Sequence, residues 1–300
     1  MRLLATTALV ALTALPALAN DWRADYKVVR FGVLSGENES DRVARLKPFE
    51  QYLEKTLGVD VEIFTAGNYD GVIQALAADQ IEFAFLGSSS YAAAYTETNG
   101  GVAPLLAAKQ EDGSTGYYSV VVTRCDSPYK SVADLKGKVL AFADPDSTSG
   151  YQVPLYNLVQ EGFDPASHFS ATPFSGSHEA GVQGVVNGQF DAAATYINNE
   201  KNGIPQRMES KGMIEPGQVC AIWKSPEITS GPFTARTNLP QGLIDEMKAA
   251  VMAVPTADPA AHKEMSGGEK STAASYVEVD HARYEWTIQM RDWLKAQRRG

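Results

Sequence analysis

The chain predicts an α/β protein of two lobes, each a sheet wound by helices on both sides, with extended hinge segments between them. Three observations carry this reading. Strand-like and helix-like segments alternate from residue 28 to a helix opening at Ser88. The alternation resumes after a β-branched run at residues 118–123. A late strand at residues 233–236 then lies far from both chain ends. Alternation of this kind is the signature of parallel sheets covered by helices.

In order, residues 28–34 (VVRFGVL) read as a first strand. Residues 41–57 place Val43, Leu46, Phe49, Leu53 and Leu57 on one helical face, and Gly58 supplies the stop. Residues 59–64 form the next strand, 69–78 a helix, 81–87 a strand, and another helix opens at Ser88. In the second half, 118–123 is a strand, 131–137 a short capped helix with a glycine stop, and the run from Val139 a strand. Strands follow at 192–196 and 221–223, with helices between them. Residues 233–236 read as the last strand, and helices at 241–254 and 282–296 close the chain. The expected division is residues 20–117 for the first part of lobe 1, 118–231 for lobe 2, and 232–300 for the return to lobe 1 and the C-terminal helices. The hinges fall near Tyr117 and Pro232. No internal repeat or low-complexity tract is present.

Residues 1–19 read as a secretory signal. Arg2 precedes an apolar stretch from Leu3 to Leu18, and Ala17-Leu18-Ala19 fits the small-x-small cleavage rule. The apolar stretch is short for a membrane span. Cleavage after Ala19 leaves 281 of the 300 residues and moves the net charge from −10 to −11, because Arg2 is the one charge lost. An acidic, exported chain with 44% apolar residues is expected to be globular and soluble, with no membrane insertion after cleavage. The charge disfavours nucleic acid as a partner. It also means that any anion site must rely on local donors. Cys125 and Cys220 lie in a compartment that permits a disulfide; a bridge and two buried thiols are both open. Neither has a His or Cys neighbour at metal-ligand spacing, so no metal and no cofactor is expected.

Asp144-Pro145-Asp146-Ser147-Thr148-Ser149-Gly150-Tyr151 is the most informative segment. It joins the apolar run 139–142 to the apolar positions Val153, Leu155, Leu158 and Val159, so a buried strand turns into a helix that opens on Ser-Thr-Ser. The first N–H groups of a helix lack internal partners and carry the positive end of its dipole. Hydroxyls stacked there make a neutral cradle for a tetrahedral oxyanion. An ordinary Ser/Thr cap is the competing reading.

Further words join this one in order: Phe31-Gly32-Val33, Asn68-Tyr69-Asp70-Gly71-Val72-Ile73-Gln74, Gly116-Tyr117-Tyr118-Ser119-Val120, Ser177-His178-Glu179, and Ile222-Trp223-Lys224-Ser225-Pro226. Together they resemble the PhnD-like phosphonate-binding proteins of ABC importers, a branch of the type II periplasmic binding proteins, across nearly the whole mature chain. The resemblance implies a periplasmic, non-catalytic receptor that closes two lobes on a phosphonate, phosphite or phosphate and passes it to an inner-membrane ABC permease. It implies that Ser147, Thr148 and Ser149 hold the oxyanion and that His178 adds a ring donor, with Ser177 in place of a family glycine. Tyr69 and Tyr117 would contribute phenols. Each has a plainer alternative: His178 as a helix-start histidine, Tyr69 as a helix cap, Tyr117 as hinge packing. Members that bind aminoalkyl phosphonates carry acids around the amine. Asn199 and Gly231 fall at the corresponding positions here, with Glu200 one residue away, which opens the choice to ligands without an amine.

Five or six hydrogen bonds to a charged oxyanion, at about 1.5–3 kcal/mol each, would cover the roughly 8 kcal/mol of micromolar affinity after binding costs. Two other classes stand beside this reading. A hydrolytic triad of Ser147, His178 and Asp191 would make the chain an enzyme, although no Gly-x-Ser-x-Gly elbow is present. A ligand-binding module of a sensory system, or the same fold serving another oxyanion or an organic ligand, would need a different partner.

Overall fold

The structure, a computed structural model, describes residues 21–297. The expected export signal and its cleavage after Ala19 lie outside the described residues. Along the chain run β1 (Val28–Val33), α1 (Glu39–Leu57), β2 (Asp60–Thr65), α2 (Tyr69–Ala77), β3 (Phe83–Phe85), α3 (Ser88–Glu97) and β4 (Val102–Gln110). The chain then crosses into β5 (Gly116–Arg124), β6 (Leu140–Ala141), α4 (Val153–Gln160), α5 (Pro165–His168), α6 (His178–Val186), β7 (Ala192–Asn199), β8 (Asn202–Gly203), α7 (Ile204–Ser210), β9 (Val219–Lys224) and β10 (Ile228–Thr229). It returns through β11 (Pro232–Arg236), α8 (Gln241–Ala257), α9 (Pro259–Met265), β12 (Ala273–Glu278) and α10 (Glu285–Gln297).

Two mixed sheets result. The first has the order β12-β4-β11-β3-β1-β2; the second has β10-β5-β7-β6, with β8 on β7 and β9 on β5. In the first sheet β1 is parallel to β2 and β3, while β11, β4 and β12 add antiparallel strands. Side chains alternate across each sheet and feed a core on both faces. Phe31, Phe83 and Val29 pack under α1, α8 and α9; Ala84 and Leu86 pack under α2 and α3. Val121 joins the cluster beneath α4, whereas Val120 and Val122 join the one beneath α6 and α7. This alternation is the physical content of a doubly wound sheet.

Local chemistry accounts for the helix ends. Asn38 caps α1 by accepting from the Asp41 N–H, Glu39 and Asp41 sit in the favourable first turn, and Gly58 ends the helix at φ 71°. Asn68 caps α2 and Ser177 caps α6 in the same manner. Cys125 and Cys220 are bridged, which ties the end of β5 to β9 across 95 residues of chain.

The structure corrects the sequence reading in three places. The strand at 233–236 is not the last, because β12 follows it, and β4 is a central strand with no counterpart in the expected series. β4 reads VAPLLAAKQ, poor in β-branched residues and interrupted by Pro104, which pairs with Thr234 beside a register shift. β12 buries no residue fully and so shows little alternation. The helix expected at 282–296 opens with a 3₁₀ turn, His281–Tyr284, and α10 proper runs over Glu285–Gln297. Finally, the helix expected on Ser147 opens with a wider π-type turn, Thr148–Gln152, in which the Gln152 N–H donates to the Ser147 carbonyl at 3.0 Å.

Candidate functional site

Parallel strands end where the lobes face each other, so the loops that follow them converge on one cleft. From lobe 1 come the β1–α1 loop with Gly36 and Glu37, the first residue of α2, Tyr69, and the β3–α3 junction at Gly87. From lobe 2 come Ser147, Thr148 and Ser149 after β6, the first residue of α6, His178, and Tyr196 and Asn198 from β7. Tyr117 enters on β5, beside the crossing between sheets. They enclose a cavity of about 360 Å³. All six residues singled out in the sequence (Tyr69, Tyr117, Ser147, Thr148, Ser149 and His178) line it.

The three hydroxyl residues are buried at 1–3% exposure, although they sit at a helix start. Ser147 Oγ accepts from the Gly150 N–H at 3.0 Å and lies 3.3 Å from His178 Nε2. Thr148 Oγ1 accepts from the Ser89 N–H of lobe 1 at 2.8 Å, which leaves its proton free to be donated. The Ser149 carbonyl accepts from Ser119 Oγ at 2.7 Å, which fixes the backbone. Gly150 is required at the fourth position, since a Cβ there would lie 2.8 Å from both His178 Cε1 and Ser147 Oγ.

Burial sets the protonation of the donors. It pulls the His178 imidazole down to about 4, against the opposing pull of the Glu37 carboxylate. The ring is therefore neutral near pH 7, with one N–H. Its Nδ1 lies 3.3 Å from Thr195 Oγ1, and Tyr196 packs edge-on against it at 5.1 Å between centroids. Burial likewise pushes the Tyr117 phenol up to about 12, although the Ser149 and Thr148 hydroxyls act in the other direction. Tyr69 is pushed higher still, by burial and then by Asp144. Both phenols stay protonated and can donate.

Several lining residues were not anticipated. Glu37, Arg42 and Arg45 line the cavity from lobe 1. The Glu37 carboxylate accepts from Arg207 Nη1 of lobe 2 at 3.0 Å and pairs with Arg45 Nη2 at 3.2 Å. Burial alone would raise its pKa, but Arg45, Arg207, Lys211 and Arg42 together hold it at about 2. Glu37 and Arg207 stand 170 residues apart, so no local pattern announces the pair. Ser88, Ser89 and Ser90, all fully buried, start α3 opposite the Ser-Thr-Ser turn. Ser90 Oγ donates to the Asp146 carbonyl at 2.9 Å. That second serine run at a helix start carried the same sequence signal as the first.

Two expectations are corrected here. The Ser147–His178–Asp191 triad is not assembled: Asp191 accepts from Tyr129 Oη at 2.8 Å and from the Val139 N–H at 2.9 Å, while His178 Nδ1 faces Thr195. The register of the substituent-facing positions also shifts by one. Asn198 lines the cavity, while Asn199 bonds Thr272 Oγ1 and the backbone of Lys201 and Asn202. Glu200 is exposed in the turn after β7 and does not line the cavity. Gly231 lines it with backbone only, because a Cβ would stand 2.0 Å from the Leu86 carbonyl oxygen.

Residues 31–284 match the family model described as ABC transporter, phosphonate, periplasmic substrate-binding protein. The chain is 35% identical over 254 residues to the phosphonates-binding periplasmic protein of Escherichia coli K12, covering 81% of this chain and 71% of that one. It is 32% identical over 231 residues to the phosphate-import protein PhnD of Mycolicibacterium smegmatis, covering 74% and 70%. Among solved structures it superposes on the binding protein component of an ABC phosphonate transporter from Pseudomonas aeruginosa with a TM-score of 0.77 at 25% identity, covering 88% and 85%.

Proposed function

The chain belongs to the periplasmic substrate-binding proteins of ABC phosphonate transporters, and from that premise we propose that its cleft closes on a tetrahedral phosphonate-class oxyanion. The observation that carries this reading is the convergence of Ser147, Thr148, Ser149, His178, Tyr69 and Tyr117 on one cavity between the lobes. Hydroxyls, phenols and a neutral imidazole offer several O–H and N–H donors at the positive end of a helix, the arrangement that suits a phosphoryl group. In this role the export segment ending at Ala19 delivers the chain to the periplasm, and the loaded, closed form docks on an inner-membrane permease.

The substituent of the ligand is not an amine in this reading. Glu37 is the one carboxylate among the cavity-lining residues, and Arg45 and Arg207 already occupy it. The similarity to a phosphate-import protein supports phosphate as the second candidate. Calorimetry of ligand-stripped mature protein with methylphosphonate, 2-aminoethylphosphonate, phosphite, phosphate and sulfate tests the proposal. Binding of methylphosphonate, phosphite or phosphate in preference to the aminoalkyl compound and to sulfate is expected. Silence across the panel would remove the phosphoryl assignment.

A further inference from the structure

Arg42 is a buried cation that nothing in the protein uses fully. It lies near the start of α1, is 4% exposed, and lines the same cavity as the cradle. Nη1 donates to the Glu37 carbonyl oxygen at 3.1 Å. Nε and Nη2 are buried and have no hydrogen-bond partner. Among the described residues Arg42 has no ion pair, since the nearby Glu37 carboxylate is taken by Arg45 and Arg207. Burying a guanidinium with unused donors is costly unless an acceptor meets it.

Which nitrogens are unused matters. Nε and Nη2 form one edge of the guanidinium, and their two parallel N–H vectors match the paired oxygens of a carboxylate or phosphoryl group. The lobe 2 hydroxyls and the phenols already supply partners for one phosphoryl head. Lobe 1 also lines the cavity with the apolar side chains of Leu34, Phe85, Leu106, Met265 and Tyr276. Among the cavity-lining residues the two guanidinium groups of Arg42 and Arg45 stand against a single carboxylate, Glu37, so the charge of the lining is cationic.

Building on the phosphonate reading above, we propose that Arg42 clasps a second oxyanion on the ligand, so that the preferred substrate class is a phosphonate whose substituent ends in a carboxylate. The apolar lining in lobe 1 accommodates the connecting carbon atoms. Arg42 thus sets specificity, and the Ser-Thr-Ser turn holds the head group common to all phosphonates.

Calorimetry with methylphosphonate, phosphonoacetate and 3-phosphonopropionate tests this on the mature wild type and on Arg42→Gln and Arg42→Lys. At least one phosphonocarboxylate is expected to bind about tenfold or more tighter than methylphosphonate to wild type, the contribution of one charge-assisted contact. Arg42→Gln should erase that preference by weakening the phosphonocarboxylate far more than methylphosphonate, while Arg42→Lys, which keeps the charge and loses the fork, should retain only part of it. Equal binding of both classes by wild type would overturn the proposal and leave the phosphonate reading intact. So would an equal loss for methylphosphonate in Arg42→Gln, which would place Arg42 on the phosphoryl head. Failure of wild type to bind any phosphonate or phosphate would overturn both. Thermal melting of ligand-free Arg42→Gln gives a separate reading: an unchanged or raised melting temperature is expected, and a clear fall would mark Arg42 as structural.

Discussion

Ser147, Thr148 and Ser149 are successive hydroxyl residues with three different duties. Ser147 caps the turn and touches His178, Thr148 takes an N–H from the opposite lobe, and Ser149 anchors the backbone to Ser119. His178 is the residue in this set whose protonation responds to moderate acid. Its folded pKa, about 4, lies below the ordinary 6.5, so the unfolded chain takes up the proton first as pH falls. The stability it contributes is therefore complete above about pH 6.5 and is lost progressively toward pH 4, by about 3 kcal/mol for a gap of that size. Glu37 extends the acid sensitivity from 4.5 down to about 2. Melting temperature measured against pH should fall between pH 6.5 and 4 in wild type. In His178→Gln that limb should be shallower, the remainder belonging to His262, whose imidazole burial also pulls down; an unaltered slope would show that His178 does not produce it.

The elements differ in how plainly the sequence announced them. α1 and α2 carried side-chain caps and α1 a left-handed glycine stop, and β1, β2, β5 and β7 carried apolar, mostly β-branched or alanine-rich runs, so their positions were legible. β4 and β12 were not, because a strand stabilised by its neighbours in the sheet needs little propensity of its own. The cradle was legible because its three hydroxyls are contiguous. Its π-type opening was not, since the extra residue in the turn depends on Gly150 passing within reach of Ala143 and His178. The charged cluster was invisible for a related reason. Glu37 and Arg45 lie eight residues apart in lobe 1, but Arg207 comes from lobe 2, 170 residues from Glu37, and only the meeting of the lobes makes it their neighbour. The one-residue error at Asn199 has the same origin: along a strand alternate residues face opposite sides, and the pocket-facing parity of β7 is set by its pairing with β5.

At the scale of the whole molecule, the lobes are held together around the cleft by contacts of several kinds. The Tyr69 N–H donates to Asp144 Oδ2 at 3.2 Å, the His178 N–H to the Gly36 carbonyl at 3.1 Å, and the Asn38 N–H to Glu179 Oε2 at 2.8 Å. Arg207 reaches across to Glu37, and α10 packs Met290 and Leu294 against Val153 and Ile228 of lobe 2. Each contact joins the two lobes, and in the proposed function ligand and these bonds together bias closure. Arg207→Gln removes one of them. Scattering of the ligand-free variant should show a larger radius of gyration than wild type, and its phosphonate affinity should fall by about tenfold as the closed fraction shrinks. Unchanged radius and affinity would show that the Glu37–Arg207 pair does not govern closure. Calorimetric titration of methylphosphonate into wild type and into Ser147→Ala/Thr148→Ala shows whether a phosphoryl group sits on the Ser147–Ser149 turn. Measurable binding by wild type and the loss of most affinity in a variant that melts as a folded protein are expected; equal affinity in the two would place the phosphoryl group elsewhere.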